Sequence, residues 1–330
     1  MYKWNKEYIN CLIKNLEAKE QNELIKSDIK TLKSLKTILI TENYERKINN
    51  KNLENDYNIV KQFNHLINPI IKKYENKTKI KVKYNKLEIP EKELLIFTYN
   101  NIKKINKNWA NLVEPYIFTK YNLNFKKKNN NYIIPLEYYE NFFISLSKEN
   151  TIEDYINPTH EYLHVLWGIL NINTMYYLEA ECLSILGELI TTYEFKKNSI
   201  LKEEAIKYDI KNINRLYSFI KDIQIKKELI KIDKKYIPNI LEKYNINKKY
   251  LNELYESSII YDYRTTLSYL IAIELFELYK QDKEKCIYII ENLIKDEDNI
   301  SSKLKKNNIT LLTNDDKYIK TLKKEYEDYK

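Results

Sequence analysis

The sequence predicts a mostly α-helical protein with a small antiparallel β-sheet set into its helical body. Three observations carry this expectation. Of 330 residues only two are Gly and six are Pro, so little punctuates long helices. Apolar residues recur at helical spacing over most of the chain. Between residues 79 and 147, three short stretches depart from that spacing and read as strands. A hydrophobic fraction of 43% with 31 tyrosines excludes a disordered chain.

Residues 2 to about 76 are helical in pattern: Tyr8, Ile9, Leu12, Ile13 and Leu16 recur on one face, as do Ile29, Leu32, Leu35 and Ile38. His65 lies in an amphipathic stretch with no acidic or sulfur-bearing residue beside it, so a surface or core-edge role is expected. Lys79 to Tyr84 alternates apolar and charged residues, the mark of a half-buried strand. Residues 91 to 121 return to a helical pattern. The run Lys126-Lys127-Lys128 followed by Asn129 to Asn131 reads as an exposed loop. Tyr132 to Leu136 and Asn141 to Ser147 read as strands, with Pro135 tolerated only near an edge or a strand end.

Thr151 is a fair helix cap, with Asp154 three residues on. Pro158 either kinks one long helix or sits in the first turn of a new helix capped by Asn157. Gly168 and the polar run 171–174 then turn the chain, and Tyr176 to Ile190 is helical again. From residue 200 onward the pattern is a series of amphipathic helices, with breaks expected near Pro238, Asn245 to Asn247, Asp282 and Asn307-Asn308.

The net charge is +9, with Lys and Glu interspersed almost everywhere, which implies a solubilising surface and no nucleic-acid partner. Three widely spaced cysteines (Cys11, Cys182, Cys286) argue for a reducing compartment and against a disulfide framework. The N-terminal residues carry no signal-peptide core, and no apolar run reaches membrane-spanning length. The expectation is a soluble, cytoplasmic protein.

The chemistry concentrates at His160-Glu161-Tyr162-Leu163-His164, an H-E-x-x-H pentad. On a helix its two imidazoles project from one face and can grip one zinc ion. Glu161 stands beside them as the candidate general base for a water on that ion. A small antiparallel sheet directly before such a helix suits a zincin-like core. In zincins an edge strand aligns an extended peptide by main-chain pairing, and Ile144, Ser145 and Leu146 are the candidates here. A catalytic zinc needs a third protein ligand and an open position. In the gluzincin arrangement that ligand is a Glu on the following helix, where Glu179 and Glu181 are available and Glu188 lies two turns beyond Glu181 on the same face. Tyr261, Tyr263 and Tyr269, in the segment 259–272, are candidates to donate a hydrogen bond to an oxyanion.

The run from Tyr132 to Leu189 resembles the active-site region of the oligoendopeptidase F and thimet oligopeptidase family. There a strand ending in an Asn-aromatic stretch precedes a Thr-Leu-Asp-Asp-Val-like helix start and then H-E-x-x-H. Asn141-Phe142-Phe143-Ile144-Ser145-Leu146 and Thr151-Ile152-Glu153-Asp154-Tyr155 occupy those places. The family's zinc-binding Glu follows an Ala and is followed by a second Glu seven residues on, as Ala180-Glu181 and Glu188 are here. This resemblance favours Glu181 over Glu179. Tyr261-Asp262-Tyr263-Arg264 is similar to the family's Tyr-rich motif, whose tyrosines contact substrate and oxyanion. The sequence departs from the family at Leu163, where a Gly usually stands, and at residues 255–260, which lack an expected histidine.

The resemblance implies a zinc-dependent metallopeptidase acting on oligopeptides, with residues 126–330 as the catalytic domain and residues 1–125 as an N-terminal helical region. His160, His164 and Glu181 would bind one Zn2+, Glu161 would act as base, and Glu188 would hold a ligand histidine. A related zinc carboxypeptidase and a non-catalytic peptide-binding relative are the neighbouring expectations.

Overall fold

A computed structural model of the chain describes residues 6–41, 57–75, 77–118, 123–126, 131–136, 139–170, 177–198, 200–232, 234–295 and 298–329. The fold class is the expected one, mostly helical with a small sheet. The residues divide into two compact units interleaved along the chain. One comprises Met1–Tyr44, Tyr84–Met175 and Gly187–Glu204, the other Glu45–Lys83, Tyr176–Leu186 and Ala205–Lys330.

In the first unit, α1 (Lys6–Glu17) and α2 (Glu23–Thr41) pair through Ile9, Leu16, Leu32 and Leu35, which bury against Leu136 and Phe143 of the sheet. The single helical pattern at 91–121 resolves into α4 (Glu91–Ile105) and α5 (Lys107–Phe118). Asn106 makes the break. Its backbone is extended and its side chain accepts from Asn108 N at 2.8 Å, an N-cap that starts the second helix.

Strands β1 (Leu123–Lys126), β2 (Tyr132–Leu136) and β3 (Asn141–Ser147) form a sheet of order β1-β3-β2. The β2–β3 pair is antiparallel, as expected, and Pro135 falls on the outer strand β2. Strand β1 was not expected; it pairs parallel to β3, and its last residue, Lys126, is the start of the presumed basic loop. Residues 127–130 of that loop, like the turn at 171–174, lie outside the described residues. The expected edge strand is corrected by this order. Ile144, Ser145 and Leu146 lie in the middle strand, buried, with Leu123, Asn124 and Phe125 on one side and Tyr132 and Ile133 on the other. Pairing on both sides of Ile144 and Ser145 leaves the strand no free row for a peptide.

Helix α6 (Glu153–Leu170) runs unbroken through Pro158. Its start is built by Asp154, whose carboxylate accepts from Glu149 N and Asn150 N at 2.8 and 2.9 Å while Thr151 Oγ1 accepts from Glu153 N. The next helix, α7 (Tyr177–Asn198), is continuous, and its residues from Leu178 to Thr192 are all buried. A helix buried all round carries no polar stripe. Its acids are therefore placed for partners, not for water.

The second unit holds α3 (Asn64–Tyr74), α8 (Lys202–Leu229), α9 (Ile237–Lys243), α10 (Lys248–Glu256), α11 (Ile259–Gln281), α12 (Lys283–Lys295), α13 (Ile300–Lys306) and α14 (Asp315–Glu327). Every break expected here falls in place. Pro238 sits in the first turn of α9, Asn247 caps α10 by accepting from Tyr250 N at 2.8 Å, Asp282 accepts from Lys285 N, and Asn308 takes a left-handed backbone after α13. Helix α11 is the buried axis of this unit, with Thr265 to Glu277 all buried. His65 lies at the surface, its Nε2 3.1 Å from Ser301 Oγ.

Lys79 to Tyr84 is not a strand but irregular chain. The burial alternates as its sequence does, with Ile80, Val82 and Tyr84 turned inward. Its partner, however, is a side chain: Asn214 on α8 accepts from Ile80 N at 2.9 Å and donates to Ile80 O at 2.7 Å. One carboxamide thus supplies what a neighbouring strand would.

Lys226 and Asp262 are both buried in this unit, with Nζ donating to Asp262 Oδ2 at 2.5 Å and to Ser257 Oγ at 2.6 Å. Burial pushes the Asp262 carboxyl up to about 7, against the pull of the Lys226 ammonium and with a smaller push from Asp222. A carboxyl raised on folding contributes stability that is complete below its ordinary value of 3.8 and is lost as pH rises through about 7. The urea midpoint is therefore expected to fall between pH 5 and pH 8, with a shallower fall in Asp262→Asn. Equal slopes in the two proteins would remove Asp262 as the cause.

Candidate metal centre

Most of α6 is buried, but Asn157, His160, His164 and Gly168 form a half-buried stripe along one face. The spacing of three and four residues puts both histidines on that open stripe. Glu161, one position round the helix, is 5% exposed.

The two imidazoles converge. His160 Nε2 and His164 Nε2 are 3.1 Å apart, with ring planes 72° from parallel. Two nitrogens bound tetrahedrally to zinc at 2.0–2.1 Å would be about 3.3 Å apart, so the pair stands close to chelating geometry. Glu181 brings a carboxylate oxygen to the same place, and the three ligand atoms lie within 4.8 Å of one another. Among the described residues, no other group of three such side chains does so. Two imidazoles and one carboxylate form a donor set suited to a catalytic zinc.

On the far side of His160, Glu188 Oε1 lies 2.7 Å from Nδ1. A carboxylate this close favours a proton on Nδ1, which would leave the Nε2 lone pair to face the shared point. The two acids are seven residues apart on α7, about 10 Å along one face, so a single straight helix presents both. Glu179 is engaged elsewhere: it accepts from the buried Lys303 Nζ at 2.7 Å.

The three α11 tyrosines part company. Tyr263 is buried and its hydroxyl donates to Asn64 Oδ1 at 3.0 Å. Tyr261 is 42% exposed and meets the ring of Phe219 edge-on, while the buried Tyr269 lies 6.5 Å from the same ring.

Both glycines of the chain serve the packing of α6. A Cβ on Gly168 would stand 2.6 Å from the Phe142 ring of β3, and one on Gly187 would stand 2.2 Å from Leu163 Cδ1. Leu163, between His160 and His164, is accommodated because α7 has no side chain opposite it. Gly187→Val is expected to cost about 1–3 kcal/mol through overpacking. Leu163→Ala should then cost less in that background than in the wild type. Urea melts of the four proteins check this, and strictly additive losses would contradict the contact.

Sequence reasoning missed a buried polar group at this centre. Asn101 Nδ2 on α4 donates to Thr159 Oγ1 on α6 at 3.2 Å and to Thr191 Oγ1 on α7. A lone Asn in an amphipathic helix gives no signal of its own.

No protein-family profile and no curated protein matches the chain. Solved structures do match its fold. A structure described as a peptidase from Chlamydophila abortus aligns over 98% of this chain and 62% of its own, with TM-score 0.53 and 12% identity. PZ peptidase A with an inhibitor aligns over 92% and 58%, with TM-score 0.53 and 12% identity. A structure described as an oligoendopeptidase F from Bacillus anthracis aligns over 98% and 62%, with TM-score 0.52 and 13% identity. The chain shares the fold of these peptidases and spans about three fifths of their length.

Proposed function

We propose that the protein is a zinc-dependent metallopeptidase that hydrolyses peptide bonds in oligopeptides. The observation that carries this reading is the convergence of His160, His164 and Glu181 on one point, with Glu161 buried in the same helical turn. The shared fold with peptidases supports it.

In this reading His160, His164 and Glu181 hold one Zn2+, and the groups that act all fall in residues 126–330. A zinc ion there supplies a Lewis acid and lowers the pKa of a coordinated water toward neutrality. Glu161 removes a proton from the attacking water and delivers it to the leaving amine. Glu188 fixes the His160 ring and its tautomer. The donor to the developing oxyanion is a tyrosine of α11, with Tyr261 or Tyr269 better suited than Tyr263, whose hydroxyl is committed to Asn64.

The test is incubation of the zinc-loaded protein with a mixed peptide library. Internal cuts are expected, lost on treatment with a chelator and restored by zinc. Cuts confined to C-terminal residues would indicate a carboxypeptidase instead. No cleavage by protein shown to carry zinc would count against peptidase activity altogether.

Among the described residues, no helix is long and apolar enough to cross a membrane.

A further inference from the structure

We infer that Asn101 is a positioning residue for the metal centre, an assignment that rests on the zinc reading above. Asn101 lies on α4, far before the pentad in sequence, and is 4% exposed. Its two amide hydrogens reach two acceptors on two different helices, Thr159 Oγ1 and Thr191 Oγ1. Thr159 immediately precedes His160, and Thr191 lies one turn beyond Glu188. Thr191 Oγ1 in turn donates at 2.6 Å to the carbonyl of Gly187, the residue before Glu188. One planar amide thus ties together the neighbours of the two side chains that meet at 2.7 Å, His160 and Glu188.

The packing explains why such a tie is needed. Where α6 and α7 touch, Leu163 rests on a glycine. That contact fixes how near the helices lie, yet a bare backbone offers nothing to stop rotation or sliding. Apolar contact is non-directional, whereas an amide with two donors at a fixed angle is not. The hydroxyls differ from the amide in another respect. Each threonine can fall back on a carbonyl of its own helix, as Thr191 already does, so removing Asn101 uncouples the helices without stranding a charge. The expected consequence is a loose His160–Glu188 pair in a protein that still folds.

The test is a double-mutant cycle on zinc affinity, measured on the full chain by competition with a chromophoric chelator. Asn101→Leu should weaken zinc binding about tenfold, in the range seen when the support of a ligand histidine is lost. Glu188→Gln should do the same. The double variant should bind no more weakly than Glu188→Gln alone, because the pair to be aligned is already gone. Thr191→Val removes one end of the tie with little change of shape and should show the same non-additivity, so the test stands if Asn101→Leu fails to fold. A purely structural role would lower the melting temperature and leave zinc affinity unchanged, and that result overturns the assignment. Strictly additive losses overturn it too. If the wild type binds no zinc, the metallopeptidase reading itself fails and this assignment falls with it.

Discussion

Replacing Glu161 with Gln is expected to leave one zinc per chain and to slow peptide hydrolysis by about 10²–10⁴-fold. The amide keeps the shape of the carboxylate but cannot take a proton from water. Glu161 also stands outside the converging set of His160, His164 and Glu181, so metal binding should survive. Metal analysis after dialysis, beside initial rates of cleavage, separates the two effects. Activity within tenfold of the wild type would exclude Glu161 as the base. Loss of zinc along with activity would show that it holds the ion or its ligands.

The largest stability effect is expected at Lys303. Its Nζ donates to Glu179 at 2.7 Å and to Leu293 O at 3.2 Å, with the two side chains 0% and 7% exposed. Lys303→Met leaves a buried carboxylate without its counter-charge, which typically costs about 3–5 kcal/mol. Replacing both partners, Lys303→Met with Glu179→Leu, should recover most of that loss, since an apolar pair of similar volume needs no water. Urea denaturation of the three variants decides the matter. A change below about 1 kcal/mol in the single variant would mean that water reaches Glu179.

Local patterns were legible in the sequence, and pairings over long sequence distances were not. The histidine pair could be read because its geometry is set by one helical turn. Asn247, Asp282 and Asn308 could be read because a cap or a left-handed turn is a property of a few consecutive residues. Helical spacing alone did not separate Glu179 from Glu181, and the resemblance that favoured Glu181 could not show that Glu179 is taken up by Lys303, 124 residues away. Asn101 was invisible for the same reason. At Lys79 to Tyr84 the alternation correctly foretold which side chains turn inward, but alternation does not say what the main chain pairs with, and Asn214 is not a strand. Strand β1 escaped notice because four residues running into lysines carry too little pattern. The edge-strand expectation failed with it, since only β1 makes β3 central.

The strand order has a consequence for how the protein is made. Strand β3 is the last of the three to leave the ribosome, yet it is the one that β1 and β2 both need. Until residue 147 emerges, the first two strands wait without their partner, each an open edge able to recruit a second chain. Helix α6 follows within a few residues, so the segment that closes the sheet also draws in both histidines. Nascent chains stalled before residue 141 would hold neither a finished sheet nor the paired histidines, and their unpartnered strands would be exposed to aggregation.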